Sequence, residues 1–124
     1  MRVLDAKAGE VEFRSAAGSA CGVWRGGSPP QSGVFDVEFD IPDTIDSWQP
    51  SRALVGGIRS AGASDRLRVS VSGTAERVEA GSVVSLRVCS DIVLVELGDA
   101  TGKPDAGAAI TFTARRVELW PYQL

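Results

Sequence analysis

The sequence predicts an all-β fold, either a small barrel or a two-sheet sandwich of about seven to nine mostly antiparallel strands. Apolar and polar residues alternate along most of the chain, which is the period of a half-buried strand, and helical spacing is almost absent. Fourteen glycines and six prolines provide many turns. We expect residues 1–124 to form one all-β domain, because a chain of this length buries about two-thirds of its unfolded surface.

The first half of the chain is predicted to start with a hairpin that turns at Ala8-Gly9 and directs Val11 and Phe13 inward. Pro42-Asp43 is expected to end the last strand of this half. Residues 51–58 fit either one helical turn or a short strand. The strands predicted in this half are 2–7, 10–14, 22–25 and 34–41.

The second half alternates more regularly, and a close hairpin is expected to turn at Ser90-Asp91. In the strand that starts at Arg66, the inward positions are Leu67, Val69 and Val71. A turn is predicted over 79–82. The strands predicted in this half are 66–72, 74–78, 83–89, 92–97 and a long final strand over 108–120.

The final strand changes its apolar phase. Even positions are apolar up to Ala114, whereas Val117 and Leu119 are odd. A strand cannot change faces without an extra residue, so we predict a β-bulge at Arg115-Arg116. A long, bent strand of this kind is typical of a barrel or a strongly coiled sandwich, in which one strand serves two sheets.

Composition excludes several classes of function. The chain has no histidine, which removes Ser-His-Asp and Cys-His catalysis and histidine zinc sites, and we expect no enzyme, metal or cofactor. The net charge of −3 gives no overall attraction to nucleic acid or to an anionic membrane. The first residues lack an apolar signal segment, so we expect a cytoplasmic protein in which Cys21 and Cys89 remain unpaired.

A run of carboxylates is the leading candidate for a functional surface. Residues 34–48 carry five acids and no base, whereas 49–78 carry five arginines against two acids. Such segregation of charge favours a basic partner protein, and a tryptophan at the end of the run can be the apolar anchor of the interface. The predicted partner-binding residues are Asp36, Glu38, Asp40, Asp43, Asp46 and Trp48.

The leading hypothesis is therefore a non-enzymatic domain that covers a basic partner, as a small inhibitor, immunity or adaptor protein does. In the alternative interpretation the carboxylates have no binding role. They form a solvated face and pair with Arg66 and Arg68 of a neighbouring strand. Metal or glycosidase chemistry is disfavoured, since carboxylates at alternate positions of a strand point outward in parallel and do not converge.

A second functional hypothesis is a barrel resembling an OB-fold or a lipocalin that binds single-stranded nucleic acid or a small ligand. Single-strand binders combine basic residues with stacking aromatic rings. The residues expected to form that site are Trp24, Arg115, Arg116 and Trp120. The negative net charge and the acidic strand both argue against nucleic acid.

Overall fold

The computed structural model describes residues 1–52, 56–62, 64–78, 81–99 and 102–122. These residues form β-strands and no α-helix, so the predicted all-β class is confirmed. The strands are β1 (Arg2–Lys7), β2 (Glu10–Ser15), β3 (Gly18–Trp24), β4 (Gly33–Val34), β5 (Val37–Asp40), β6 (Gln49–Pro50), β7 (Gly57–Ser60), β8 (Val69–Val78), β9 (Val83–Val88), β10 (Asp91–Glu96), β11 (Ala109–Ala114) and β12 (Glu118–Pro121).

The strands form two sheets, one of which is curled into a half-barrel. Sheet 1 has the order β4-β1-β2-β3-β12-β5. Sheet 2 has the order β10-β9-β8-β11-β6, and β7 also pairs with β8. Among the strands named above, all pairings are antiparallel except that between β12 and β3, which is parallel. The acidic strand β5 therefore lies at an edge of sheet 1.

The predicted hairpins are confirmed. Strands β1 and β2 pair around Ala8-Gly9, where both residues have positive φ. The close hairpin is formed by β9 and β10, and Cys89 occupies its turn with a φ of 56°. Strand β3 is longer than the predicted 22–25, because Gly18 to Gly22 also pair with β2. Strand β7 begins at Gly57, near the end of the undecided segment 51–58. Residues 53–55 lie outside the described residues, as do 79–80 of the predicted turn.

Two predicted strands are wrong in their extent. The strand expected over 34–41 is divided, because β4 pairs with β1 at one edge of sheet 1 and β5 pairs with β12 at the other. Arg66, Leu67 and Arg68 precede β8 and lie in a loop, where Asp65 Oδ1 accepts a hydrogen bond from the Leu67 amide at 3.0 Å. The predicted strand 74–78 is the second half of β8, which runs unbroken through Gly73.

The change of phase in the final strand marks a change of sheet. Strand β11 belongs to sheet 2 and β12 to sheet 1, with Arg115, Arg116 and Val117 connecting them. The prediction that this segment contributes to two sheets is confirmed. In place of the β-bulge expected at Arg115-Arg116, the structure has a short break between β11 and β12. This division, together with the two-residue strands β4 and β6, raises the number of strands above the predicted seven to nine.

The core lies between the sheets and contains apolar side chains from both. Phe13 of β2 and Phe39 of β5 pack with ring centroids 5.7 Å apart. Leu119 and Val117 are fully buried on the chain that joins the sheets. Together these contacts hold β5 and β12 against the rest of sheet 1. The inner face of the acidic strand is therefore packed on the core.

Strand β8 changes partner at Gly73. Residues Val69 to Ser72 pair with β7, whereas Thr74 to Val78 pair with β9 on the same side. A Cβ atom at Gly73 would lie 2.5 Å from the Arg87 carbonyl oxygen, so only glycine allows β9 to approach this closely.

None of the described segments is a helix that is long and apolar enough to cross a membrane. Cys21 and Cys89 are both free, with Cys21 on sheet 1 and Cys89 in the turn of sheet 2. Cys89 is half-buried, and its thiol donates to the Gly56 carbonyl oxygen at 3.1 Å. This packing agrees with a structural role for the side chain.

Candidate functional site

The fold separates the predicted acidic surface into two places. Asp36, Glu38 and Asp40 lie on or beside the edge strand β5 of sheet 1. Asp43, Asp46 and Trp48 lie on the segment that crosses from β5 to β6, and they line a cleft against sheet 2. The structure thus does not place Trp48 on the surface of the acidic strand.

Other aromatic side chains accompany the acidic strand. The register of β5 and β12 places Trp120 directly opposite Glu38, and side chains opposite each other point to the same face. Beyond β12, the Tyr122 amide donates to the Asp36 carbonyl oxygen at 3.0 Å. Trp120 is 46% exposed and Tyr122 is 62% exposed. We call the surface formed by Asp36, Glu38, Trp120 and Tyr122 the acidic–aromatic face.

Asp40 ends β5 in a different environment. It lies opposite Glu118 of β12, which is only 5% exposed and forms a hydrogen-bonded ion pair with Arg25. Burial raises the pKa of the Asp40 carboxyl above its ordinary value, and the negative charge of Glu118 and a hydrogen bond to it act in the same direction. Asp36 and Glu38 are both exposed, so they are the carboxylates that the acidic–aromatic face presents to solvent.

Asp40→Asn is expected to stabilise the protein relative to wild type, increasingly as the pH rises. Because folding raises the pKa of Asp40, the folded protein holds this proton more tightly than the unfolded chain does. That contribution is complete below the ordinary value of 3.8 and is lost as the pH rises through the raised pKa. Asparagine has no proton to lose, so the difference between variant and wild type should be smallest in acid. Urea unfolding at about pH 3, 5 and 7 measures it.

The control for this prediction is Asp36→Asn, which removes the same charge from an exposed position beside the same strand. If the stability difference for Asp40→Asn instead follows the Asp36→Asn difference at every pH, then neither burial nor Glu118 raises the pKa of Asp40 in the folded protein.

The cleft against sheet 2 has a volume of about 740 Å³. On one side lie β8 and β11, where Ser70 is directly opposite Thr113. The other side is the crossing segment 43–49. Strand β6 pairs with β11 only at Ile110 and Thr111, so the edge of β11 beyond Thr111 borders the cleft. The full lining is Asp43, Thr44, Ile45, Asp46, Ser47, Trp48, Gln49, Arg68, Ser70, Thr111, Phe112, Thr113, Ala114 and Arg115.

Hydrogen bonds hold the crossing segment in place. Asp43 Oδ2 accepts from the Arg115 amide at 3.2 Å, and the Trp48 indole N–H donates to the Gly102 carbonyl oxygen at 3.2 Å. Between them, buried Ile45 forms a parallel bridge to Leu97, with its amide donating to the Glu96 carbonyl oxygen at 2.8 Å. Hydrogen bonds therefore hold the crossing segment that borders the cleft, and they fix the position of the Trp48 side chain.

The residues of the alternative ligand-binding site do not lie together in the structure. Trp24 is buried and packs edge-on against Phe35, with centroids 5.5 Å apart. Arg115 lines the cleft of sheet 2, and Arg116 is exposed beside it in the chain. Trp120 lies on the acidic–aromatic face of sheet 1. A buried indole and a tryptophan next to carboxylates do not form the basic stacking groove that a single strand of nucleic acid needs.

The alternative in which Arg66 and Arg68 neutralise the acidic strand is wrong. The strand β8 that follows them pairs with β7, β9 and β11, and none of these is a neighbour of β5. Arg66 forms an ion pair with Glu10 at 3.3 Å, and Arg68 lines the cleft. Arg66 and Arg68 thus do not pair with Asp36 and Glu38.

Sequence reasoning missed Glu118, and it did not place Arg25 or Tyr122 beside the acidic strand. The alternation of Val117 and Leu119 assigns Glu118 to the solvent side, whereas in the structure it is buried and paired with an arginine 93 positions away. Among the described residues, no group of three or more acidic or cysteine side chains is arranged to hold a metal ion.

Comparisons with family models, with curated proteins and with solved structures gave no match.

Proposed function

We propose that this chain is a non-enzymatic domain that docks a basic partner protein through the acidic–aromatic face, in the manner of a small inhibitor, immunity or adaptor protein. The observation that carries the proposal is the register of β5 and β12, which sets exposed Trp120 beside exposed Glu38. Tyr122 and Asp36 extend the same combination along the two strands.

This combination suits a cationic side chain. Lysine and arginine form charge-assisted hydrogen bonds with carboxylates, and the same cation is attracted to the face of an aromatic ring within about 6 Å. Tryptophan and tyrosine are also enriched among the few residues that carry most of the binding energy of an interface, where the surrounding contacts exclude water. A basic protein bound here would have its own cationic surface covered, which is the physical basis of inhibition by occlusion.

The testing variant is Asp36→Lys/Glu38→Lys, and its matched control is Asp99→Lys/Asp105→Lys. All four side chains are exposed, and both double variants change the net charge by the same amount. Asp40 is left intact because its contact with Glu118 would confound binding with folding. Proteins captured from the source cell are identified, purified and titrated. We expect a basic protein whose affinity falls at least about tenfold with the testing variant and little with the control.

A photo-crosslinking amino acid in place of Tyr122 identifies where the partner binds, and the expected adduct is one-to-one. If both double variants lose affinity for the partner, binding depends on net charge and not on this face, which would contradict the proposal. A captured partner that is acidic would contradict it too.

Charged edge strands also prevent pairing between sheets of different molecules. If the testing variant self-associates and no basic protein binds the wild type, the carboxylates protect the edge and the proposal is wrong.

A further inference from the structure

The cleft on sheet 2 is separate from the acidic–aromatic face, and the docking function makes no use of it. Its volume of about 740 Å³ falls in the range of pockets that hold small ligands, about 300–1,000 Å³. We infer that this cleft binds a neutral saccharide. The inference depends on the charges, the hydrogen-bonding groups and the aromatic ring that line it.

The balance of charge on the lining favours a ligand without net charge. Two carboxylates, Asp43 and Asp46, and two guanidinium groups, Arg68 and Arg115, line the cleft, so their formal charges cancel. The carboxylates repel phosphate groups, and the arginines repel cations. A ligand without net charge can accept hydrogen bonds from the two arginines and donate one to Asp46 without such repulsion.

The hydrogen-bonding groups suit hydroxyls. Hydroxyl and amide side chains join the four charged groups on the lining, including Gln49, Ser70, Thr111 and Thr113. Carboxylates accept only, guanidinium groups donate only, and side-chain hydroxyls do both. A sugar hydroxyl also does both, so a hydroxyl-rich ring can satisfy this mixture at several positions. An apolar ligand would remove these groups from water without replacing their hydrogen bonds.

Trp48 provides the apolar contact. An indole packs its flat face against the C–H groups of a pyranose ring, which present an apolar surface between polar edges. The hydrogen bond from the Trp48 indole to Gly102 fixes one edge of the ring. The hydrogen bond from the Arg115 amide to Asp43 fixes the other end of the crossing segment. A site held in place before binding loses less entropy when the ligand arrives.

The test is an NMR titration of the wild-type protein with gluco-, manno-, galacto- and N-acetylglucosamine oligosaccharides. We expect at least one sugar to shift the Trp48 indole signal and the amide signals of Ser70, Thr111 and Thr113. Trp48→Ala and Asp46→Asn are each expected to weaken binding at least about tenfold. Asp46→Asn changes one atom type and preserves the shape of the segment, so it remains informative if Trp48→Ala does not fold. The control, Trp120→Ala, removes an indole from the other sheet and should leave sugar binding unchanged.

Three results would overturn the inference. The first is a lack of shifts with every sugar of the panel. The second is a set of shifts that Trp120→Ala abolishes and Asp46→Asn leaves intact. The third is binding of a nucleotide or of an extended peptide in the cleft when the sugars do not bind. The docking experiment has its own variants, Asp36→Lys/Glu38→Lys, so the failure of either proposal leaves the other standing.

Discussion

Leu119→Ala is expected to lower the free energy of unfolding by about 3–4 kcal/mol. Leu119 is 0% exposed, and β12 holds it between β3 and β5 of sheet 1. The site has little space to collapse after truncation. A Cβ atom placed on neighbouring Gly22 would lie only 3.2 Å from Leu119 Cγ. The loss therefore combines the transfer free energy of the removed atoms with that of the cavity left behind.

The matched control is Leu94→Ala, which deletes the same atoms from a side chain that is 58% exposed on β10. We expect it to change stability by less than about 0.5 kcal/mol. Equilibrium unfolding in urea, followed by circular dichroism, measures both variants. Equal losses for the two leucines would mean that β12 is not packed as described.

The prediction has a functional side, because Leu119 lies between Glu118 and Trp120 in the chain. Strand β12 is the last part of the connection from sheet 2 to sheet 1, and it alone links β5 to the rest of its sheet in the described structure. Loosening its packing would therefore also displace Trp120 from Glu38. Wild-type levels of partner binding are expected only in variants that keep this strand in register.

The strands could be predicted from the sequence where pairing is local. Hairpins such as β1–β2 and β9–β10 require only alternation and a turn, and both are visible in a short window of residues. The break between β11 and β12 was also visible, since a change of apolar phase is a local signal even though its meaning is a change of sheet. In both cases burial imposes the pattern directly on neighbouring residues.

The division of 34–41 into β4 and β5 was not predictable in this way. Val34 and Val37 are both suited to a strand, and the break depends on which partners lie at the two edges of sheet 1. The same limit applied to the candidate surfaces. Trp48 is near the acidic residues in sequence and Trp120 is far from them, yet the register of β5 and β12 brings Trp120 to Glu38. Sequence proximity thus groups Trp48 with the acidic strand, whereas the structure places Trp48 in the cleft against sheet 2.

The second large effect is expected for Arg25→Ala, which should lower the free energy of unfolding by about 2 kcal/mol at pH 7. Glu118 is 5% exposed, and Arg25 is its ion-pair partner. Removal of the guanidinium group leaves a buried carboxylate beside Asp40, and an unpaired buried charge is costly. Loss of a fully buried partner costs about 3–5 kcal/mol, and we expect less here because the Arg25 side chain is 46% exposed and water can reach the site.

A double-mutant cycle with Glu118→Gln separates this effect from the lost packing of the arginine chain. Glutamine has nearly the shape of glutamate without its charge, so Arg25→Ala should cost much less in the Glu118→Gln background than in wild type. We expect a coupling of about 1 kcal/mol or more from urea unfolding of the four proteins. Equal costs in the two backgrounds would mean that Arg25 stabilises the edge of sheet 1 through its aliphatic atoms and not through Glu118. With the expected coupling, the same ion pair that stabilises β12 also holds Trp120, two residues further along, opposite Glu38.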